Sequence, residues 1–264
     1  MTRIRVLQPH QTSDEELDQI TTELARYGGR GTTVDVDHVH EVIDTGDIMQ
    51  YRFAVALSEF HGVAHAVAAE RDGIDAIVVN CMRDPIVRAA REVVDIPVIG
   101  PTESAMSLAS ILGRSFGVIV FGARAAQVVE EQARIYGFVD QLAAVPVCDL
   151  SLEEAPRLPR AHVVSLIAAS AQEAIESGAD VVILGCTGMR DFVPDLREAL
   201  AEGGHVGIPF IDPLEAAVRV AATTSELGLR HSRRPYPRST QAYLAWRTAV
   251  DPHSAASAAS AAIN

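Results

Sequence analysis

Cys81 and Cys186 close two copies of one sequence pattern, GIDAIVVNC at residues 73–81 and GADVVILGC at residues 178–186. A second block follows each copy, IPVIGPTESA from Ile96 and IPFIDPLEAA from Ile208, so the likeness extends past the thiols. A thiol is a capable acid and its thiolate a capable base. Two of them on opposite faces of one planar intermediate are what a proton transfer with inversion requires. Each copy sets its Cys at the carboxyl end of a short apolar strand, and packing the halves about a pseudo-two-fold axis would bring both thiols to one cleft.

A Cys after a buried strand is commonly inert core. The duplication argues otherwise, because the copies keep the thiol while its neighbours differ, Asn80 against Gly185 and Met82 against Thr187. Cys148, in VPVC, has no counterpart and reads as a small buried hydrophobe. Both repeated thiols stand just before an expected helix start, where unpaired N–H groups and the macrodipole are expected to lower a thiol pKa from about 8.5. The same N–H groups would hold a substrate oxyanion or carboxylate. Met82, Arg83 and Asp84 on one side, and Thr187, Gly188 and Met189 on the other, are therefore candidate substrate-binding positions. The Arg83 side chain would add charge, or face solvent. The Thr187 hydroxyl would reach thiolate or ligand, or serve only the turn. Pro9, His10 and Thr12, past the first strand, share this rim and join the candidates. Glu103 repeats as Glu215, as a helix-start carboxylate or a catalytic one. His38 with His40, and His61 with His65, have metal-ligand spacing, but no convincing third ligand accompanies them and no metal is expected. Gly-rich phosphate fingerprints are absent, so no cofactor is expected.

The elements that must position these residues alternate along the chain. Strands are expected at Ile4–Leu7, Thr32–Val36, Ala76–Val79 and Ile96–Ile99, then at Phe116–Phe121, Ala144–Val147, Asp180–Leu184 and Ile208–Ile211. Ser13 and Glu16 have capping-box spacing and open a helix to Tyr27, ended by Gly28, Gly29 and Gly31. Further helices are expected over Phe53–Glu70, from Asp84 as N-cap and Pro85 as first helical residue, over Thr102–Leu112, Arg124–Tyr136, Leu158–Ser177, Phe192–Ala201 and Leu214–Leu227. Near-continuous apolar strands between helices indicate an α/β protein with parallel sheets covered on both faces. Ligands bind such sheets outside the carboxyl ends of the strands, where both cysteines stand.

Composition bounds the partners. The 264 residues allow two compact α/β units of about 100 to 130 residues each. A net charge of -13, from 22 Lys and Arg against 35 Asp and Glu, leaves no broad basic surface for nucleic acid. No apolar run approaches the roughly 18 residues of a membrane span, and MTRIRVLQPH lacks a signal-peptide core. Three cysteines without a dense framework argue for reduced thiols. A cytoplasmic homo-oligomer acting on a small molecule is the expectation.

The paired strand-end cysteines, the second in LGCTGM from Leu184 to Met189, resemble the aspartate/glutamate/hydantoin racemase superfamily. Cys81 followed by Asp84 and Pro85, and GLRHSRRPYPRS from Gly228 to Ser239, are similar to hydantoin and allantoin racemases within it. The resemblance covers nearly the whole chain to about Ser239. It implies cofactor-independent inversion at a carbon next to a carbonyl, with Cys81 and Cys186 exchanging acid and base roles on 5-substituted hydantoins or allantoin. It also implies two pseudo-two-fold-related α/β domains with the site between them, residues 1–100 plus 213–250 and residues 101–212; outside the resemblance, the Ser/Ala repeat marks 251–264 as a flexible tail. Gln8, Pro9 and His10 stand where hydantoin racemases resemble one another in Asn-Pro-Asn, and Thr187 is nearer the amino-acid racemases. Amino-acid racemisation, maleate isomerisation and arylmalonate-type decarboxylation therefore remain alternatives for a small carboxylic acid, as do a non-catalytic small-acid binding protein and a thiol redox switch.

Overall fold

The computed structural model describes residues 1–43, 48–150 and 154–250 of the chain. The repeat in sequence is a repeat of topology. β1 (Thr2–Gln8), β2 (Thr32–His38), β3 (Ala76–Val79) and β4 (Val98–Ile99) form a parallel sheet in the order β2-β1-β3-β4. β5 (Phe116–Phe121), β6 (Leu142–Ala144), β8 (Val181–Leu184) and β9 (Phe210–Ile211) repeat it in the order β6-β5-β8-β9, and β7 (Val147–Cys148) also pairs with β5. In each sheet the strand order reverses between the first strand and its inner neighbour, the place where open parallel sheets form a crevice. Cys81 follows β3 and Cys186 follows β8, the inner neighbours.

Prolines shorten three expected strands. Ala144–Val147 is broken into β6 and β7 at Pro146, which has no N–H to give, although its carbonyl still accepts from Val120 at 3.0 Å. β4 and β9 begin only after Pro97 and Pro209, whose carbonyls accept from Ile77 and Val182.

Alternate residues of each strand point to opposite faces. Ile77 and Val79 pack with residues of α2 (Arg52–Arg71) and α3 (Val87–Arg91), while Ala76 and Val78 pack with α1 (Asp14–Gly28) and α8 (Pro213–Glu226). In the second sheet Val182 and Leu184 meet α6 (Arg160–Glu176) and α7 (Val193–Glu202), and Val181 and Ile183 meet α4 (Pro101–Leu112) and α5 (Ala123–Tyr136). With both faces covered, apolar residues can run unbroken along the inner strands. The Ser13 hydroxyl accepts from Glu16 N–H at 3.3 Å and starts α1 as its spacing predicts.

Two helices cross between the sheets. α4 leaves the first sheet to pack on β5 and β8, α8 leaves the second to pack on β1, β3 and β4, and the two lie against each other. After α8 the chain returns over the first sheet to α9 (Thr240–Val250), with Tyr243 against the first core. The expected tail, 251–264, lies outside the described residues. Among the described residues no helix is long and apolar enough to cross a membrane.

Candidate active site

Asn80 still bonds as a strand residue, donating to Leu7 O at 2.9 Å, and the chain then turns at Cys81. Asp84 N–H donates to Cys81 O at 2.9 Å, and Asp84 and Ile86 adopt φ of 48° and 68°. A left-handed conformation is strained for a side chain branched at Cβ, by about 1–3 kcal/mol. Gly62 on α2 makes room for it, since a Cβ there would stand 2.3 Å from Ile86 Cδ1. The helix expected from Asp84 and Pro85 therefore starts later, as the short α3. An N-cap needs extended backbone, which Asp84 does not have.

Asp84 instead caps a different helix. Its carboxylate accepts from Thr102 N–H and Glu103 N–H, both at 3.1 Å, at the start of α4, and from Tyr136 Oη at 2.7 Å. Residue 100 must be glycine for this, because a Cβ there would lie 2.4 Å from Asp84 Cγ. Burial pushes the Asp84 carboxyl up to about 7 against the pull of its three donors. The Asp84 carboxylate is thus committed to internal donors, while its N–H, the group expected from sequence to face substrate, donates to Cys81 O. Its neighbours are partly committed too: the Met82 side chain lies in the core beside Met106, and Arg83 Nη2 donates to Gln50 O at 3.1 Å.

The second thiol stands on a different turn. Cys186 opens a 3-10 turn, Thr187–Phe192, that runs into α7. Thr187 and Met189 are buried, Met189 among the apolar residues of α6 and α7. Arg190 reaches across to Glu23 on α1, its Nε donating at 2.8 Å, and so ties this turn to the first half. One feature is common to both sites. Gly188 N–H donates to Cys186 Sγ at 3.4 Å, and Arg83 N–H donates to Cys81 Sγ, each from two residues farther along.

Burial raises the Cys81 thiol to about 12, the Arg83 N–H and charge oppose this, and the charges of Cys186 and Asp84 add to it. This overturns the expected lowering at Cys81: the helix start that would have caused it is not there, and protein atoms crowd the sulfur even though part of the residue stays accessible. Cys81 is a thiol at neutral pH.

On the rim, Pro9 and Thr12 are buried and His10 is half-exposed. Thr12 donates its hydroxyl to His10 O at 3.4 Å and its N–H to His38 Nδ1 at 3.2 Å. Glu103 pairs with Arg91 at 2.8 Å and Glu215 with Arg219 at 3.5 Å, so both repeated carboxylates sit in first helical turns as ion-pair partners. Two kinds of residue escaped the sequence reading. Asn80 Oδ1 is buried without a hydrogen-bond partner directly before Cys81. The others are the tyrosines at the ends of α1 and α5: Tyr27-Gly28 and Tyr136-Gly137 repeat in sequence, and Tyr27 Oη donates to Asp212 at 2.7 Å as Tyr136 does to Asp84.

The profile of the Asp/Glu/Hydantoin racemase family matches residues 4–221. A hydantoin racemase of Paenarthrobacter aurescens is 31% identical over 196 residues, which cover 74% of this chain and 80% of that protein. Among solved structures, an allantoin racemase from Klebsiella pneumoniae superposes with a TM-score of 0.76 at 25% identity, covering 89% of this chain and 91% of the other. An allantoin racemase from Pseudomonas fluorescens shares the fold with a TM-score of 0.77 at 24% identity, covering 90% and 97%.

Proposed function

Since the chain belongs to the Asp/Glu/hydantoin racemase family, and is thus an isomerase of the racemase type, we propose that it inverts the stereocentre of a cyclic ureide, a 5-substituted hydantoin or allantoin, by proton transfer between Cys81 and Cys186. The carrying observation is the pair of thiols at equivalent strand ends, each taking an N–H from two residues ahead and close enough to feel each other's charge. One sulfur, as thiolate, removes the proton from the carbon beside the carbonyl, whose electrons move onto the carbonyl oxygen. The other, as thiol, returns a proton to the opposite face of the planar enolate. The competent pair therefore carries one proton between two sulfurs, a coupled system in which the charge of each opposes ionisation of the other. Because burial keeps Cys81 protonated, Cys81 serves as the acid in the first turnover of this scheme, and the base role falls to Cys186. The other enantiomer needs the opposite loading, reached by proton exchange with solvent.

The ureide rather than a dicarboxylate is supported by Asn80. Its carboxamide oxygen, one residue before Cys81 in the chain, is an acceptor left without a donor, and a hydantoin ring offers N–H donors where a dicarboxylate offers only oxygens. Incubation of each enantiomer of a 5-substituted hydantoin and of allantoin in deuterated water tests the reading, with aspartate, glutamate and maleate in parallel. A ureide should exchange its stereocentre hydrogen as it racemises. Exchange confined to the amino acids, isomerisation of maleate alone, or undiminished turnover in both Cys81→Ala and Cys186→Ala would overturn it.

A further inference from the structure

Away from the thiols, His40, Glu41 and His65 each direct one ligand atom into a common space, all within 4.8 Å of one another. We propose that this is a binding site for a divalent transition-metal ion of the zinc class. It departs from the expectation of no metal, which rested on the want of a third ligand. That ligand is Glu41, one residue from His40, and only the fold sets it against α2.

The site is built from both sides. Val39 and Val42 are buried, Val42 N–H donates to Val39 O at 3.1 Å, and the resulting turn presents His40 and Glu41 at its corners. Val39 N–H also donates to Gln8 O and Gln11 N–H to Val42 O, so the corners are held before any ion arrives. Opposite them, His61 and His65 lie one turn apart on the same face of α2. Glu41 is the hub: Oε2 is 3.1 Å from His65 Nε2, and Oε1 is 3.6 Å from His40 Nε2 and 3.7 Å from His61 Nδ1. Ligands at about 2.0–2.1 Å from a tetrahedral zinc ion stand about 3.4 Å from one another, so these separations need only small adjustment. A metal-bound histidine ordinarily turns its second nitrogen to a carboxylate, and His65 Nδ1 lies 3.1 Å from Asp37 Oδ2. Two imidazoles and a carboxylate suit zinc, cobalt or nickel, and disfavour magnesium and calcium, which take oxygen ligands. The fourth position falls to His61 or water. His38 is not a ligand, because its Nδ1 accepts from Thr12 N–H.

The test is calorimetric titration with zinc chloride, after chelator treatment, in a Cys81→Ser/Cys186→Ser background that removes the accessible thiols as competing ligands. One equivalent should bind, and the melting temperature should rise with zinc and not with magnesium. His40 is exposed, so His40→Ala keeps the fold; it should weaken zinc at least tenfold, and Glu41→Gln should do the same with an unchanged circular dichroism spectrum. Equal zinc affinity in the background and in both added substitutions, or no binding at all, would leave the cluster a set of hydrogen-bonded ion pairs and overturn the proposal.

Discussion

At residue 212 the second half carries an aspartate that caps its own helix: Asp212 Oδ1 accepts from Leu214 and Glu215 N–H at 2.8 and 3.2 Å, and Tyr27 Oη closes the other oxygen. At the matching residue the first half has Gly100, and the cap for α4 arrives from Asp84, with Tyr136 closing it. Both arrangements answer one physical need, a buried helix start whose N–H groups require an acceptor. Their sequences answer it differently. In the first half the acceptor lies three residues after Cys81, which forces the left-handed turn and places a carboxylate near the thiol. In the second half the residue three after Cys186 is Met189, a core side chain that brings no charge. Two sulfurs at equivalent strand ends thus stand in unequal surroundings: burial chiefly raises the Cys81 thiol, with the Asp84 charge adding to it, and no carboxylate stands three residues after Cys186.

The comparison breaks most severely if either sulfur is dispensable. Cys81→Ser and Cys186→Ser should each lower kcat for racemisation by about a thousandfold or more, since a hydroxyl is a far weaker acid and base at neutral pH than the thiol it replaces. An asymmetry should survive in partial reactions. With Cys81 kept as the acid, Cys186→Ser should lose solvent exchange at the substrate carbon, read by NMR of recovered substrate, whichever enantiomer is supplied in which Cys186 faces the hydrogen.

The inequality itself is read by alkylation. With its thiol near 12 against about 8.5 for a free one, Cys81 has about a thousandfold less thiolate at neutral pH, and the greater nucleophilicity of a more basic sulfur returns part of that. Iodoacetamide should therefore label Cys81 about a hundredfold more slowly than a free cysteine, and the rate should climb steadily to pH 10 and beyond. Peptide mass spectrometry gives the rate, and a plateau near pH 8 would show that burial does not hold the Cys81 thiol up.

The two caps are interchangeable in principle, which yields a double-mutant test. Asp84→Ala strands Thr102 N–H, Glu103 N–H and the Tyr136 hydroxyl in a buried place, at a cost of about 2–4 kcal/mol. Gly100→Asp alone should also destabilise, because its Cβ meets the Asp84 carboxylate. Together they rebuild the arrangement of residue 212, and urea unfolding should show the pair losing less than the sum of the two by about 1–3 kcal/mol.

The same comparison shows what was legible beforehand. Periodicity showed which segments of each half are strands, because both-face burial writes itself as an apolar run, as in AIVV and VVIL. The placement of the two thiols at equivalent strand ends was legible because the repeat marked it. The Asp84 cap was not, since Asp-Pro before an apolar stretch has the local signature of a helix start, and only contact with α4 overrules it. The lowered pKa expected at Cys81 failed with that helix. The tyrosine closing each cap was visible as a repeated Tyr-Gly, but its target lies in the other half of the sequence, beyond any local pattern.

The smallest effect concerns the sheet edges, where the halves again differ. Arg197 Nη2 donates to Phe210 O on β9 at 3.1 Å, as Arg91 donates to Val98 O on β4, but Val98 also gives its N–H to His231 Nε2 at 2.8 Å from the chain returning after α8. That bond needs a neutral imidazole. Burial, with the positive charges of Arg91 and Arg233, holds His231 down to about 4. In the unfolded chain the same group titrates near 6.5, so above that pH it favours neither state. Between 6.5 and 4 the unfolded chain takes up a proton that the fold refuses, and stability falls as the pH falls through that window. His231→Gln keeps an acceptor without the titration. From pH 7 to pH 5 the wild type should lose a few degrees more in melting temperature than this variant, about 1 kcal/mol after allowance for partial exposure. Parallel curves would mean that the strap over β4 is held by Arg233, whose guanidinium donates to Arg91 O and Val94 O, and not by the imidazole.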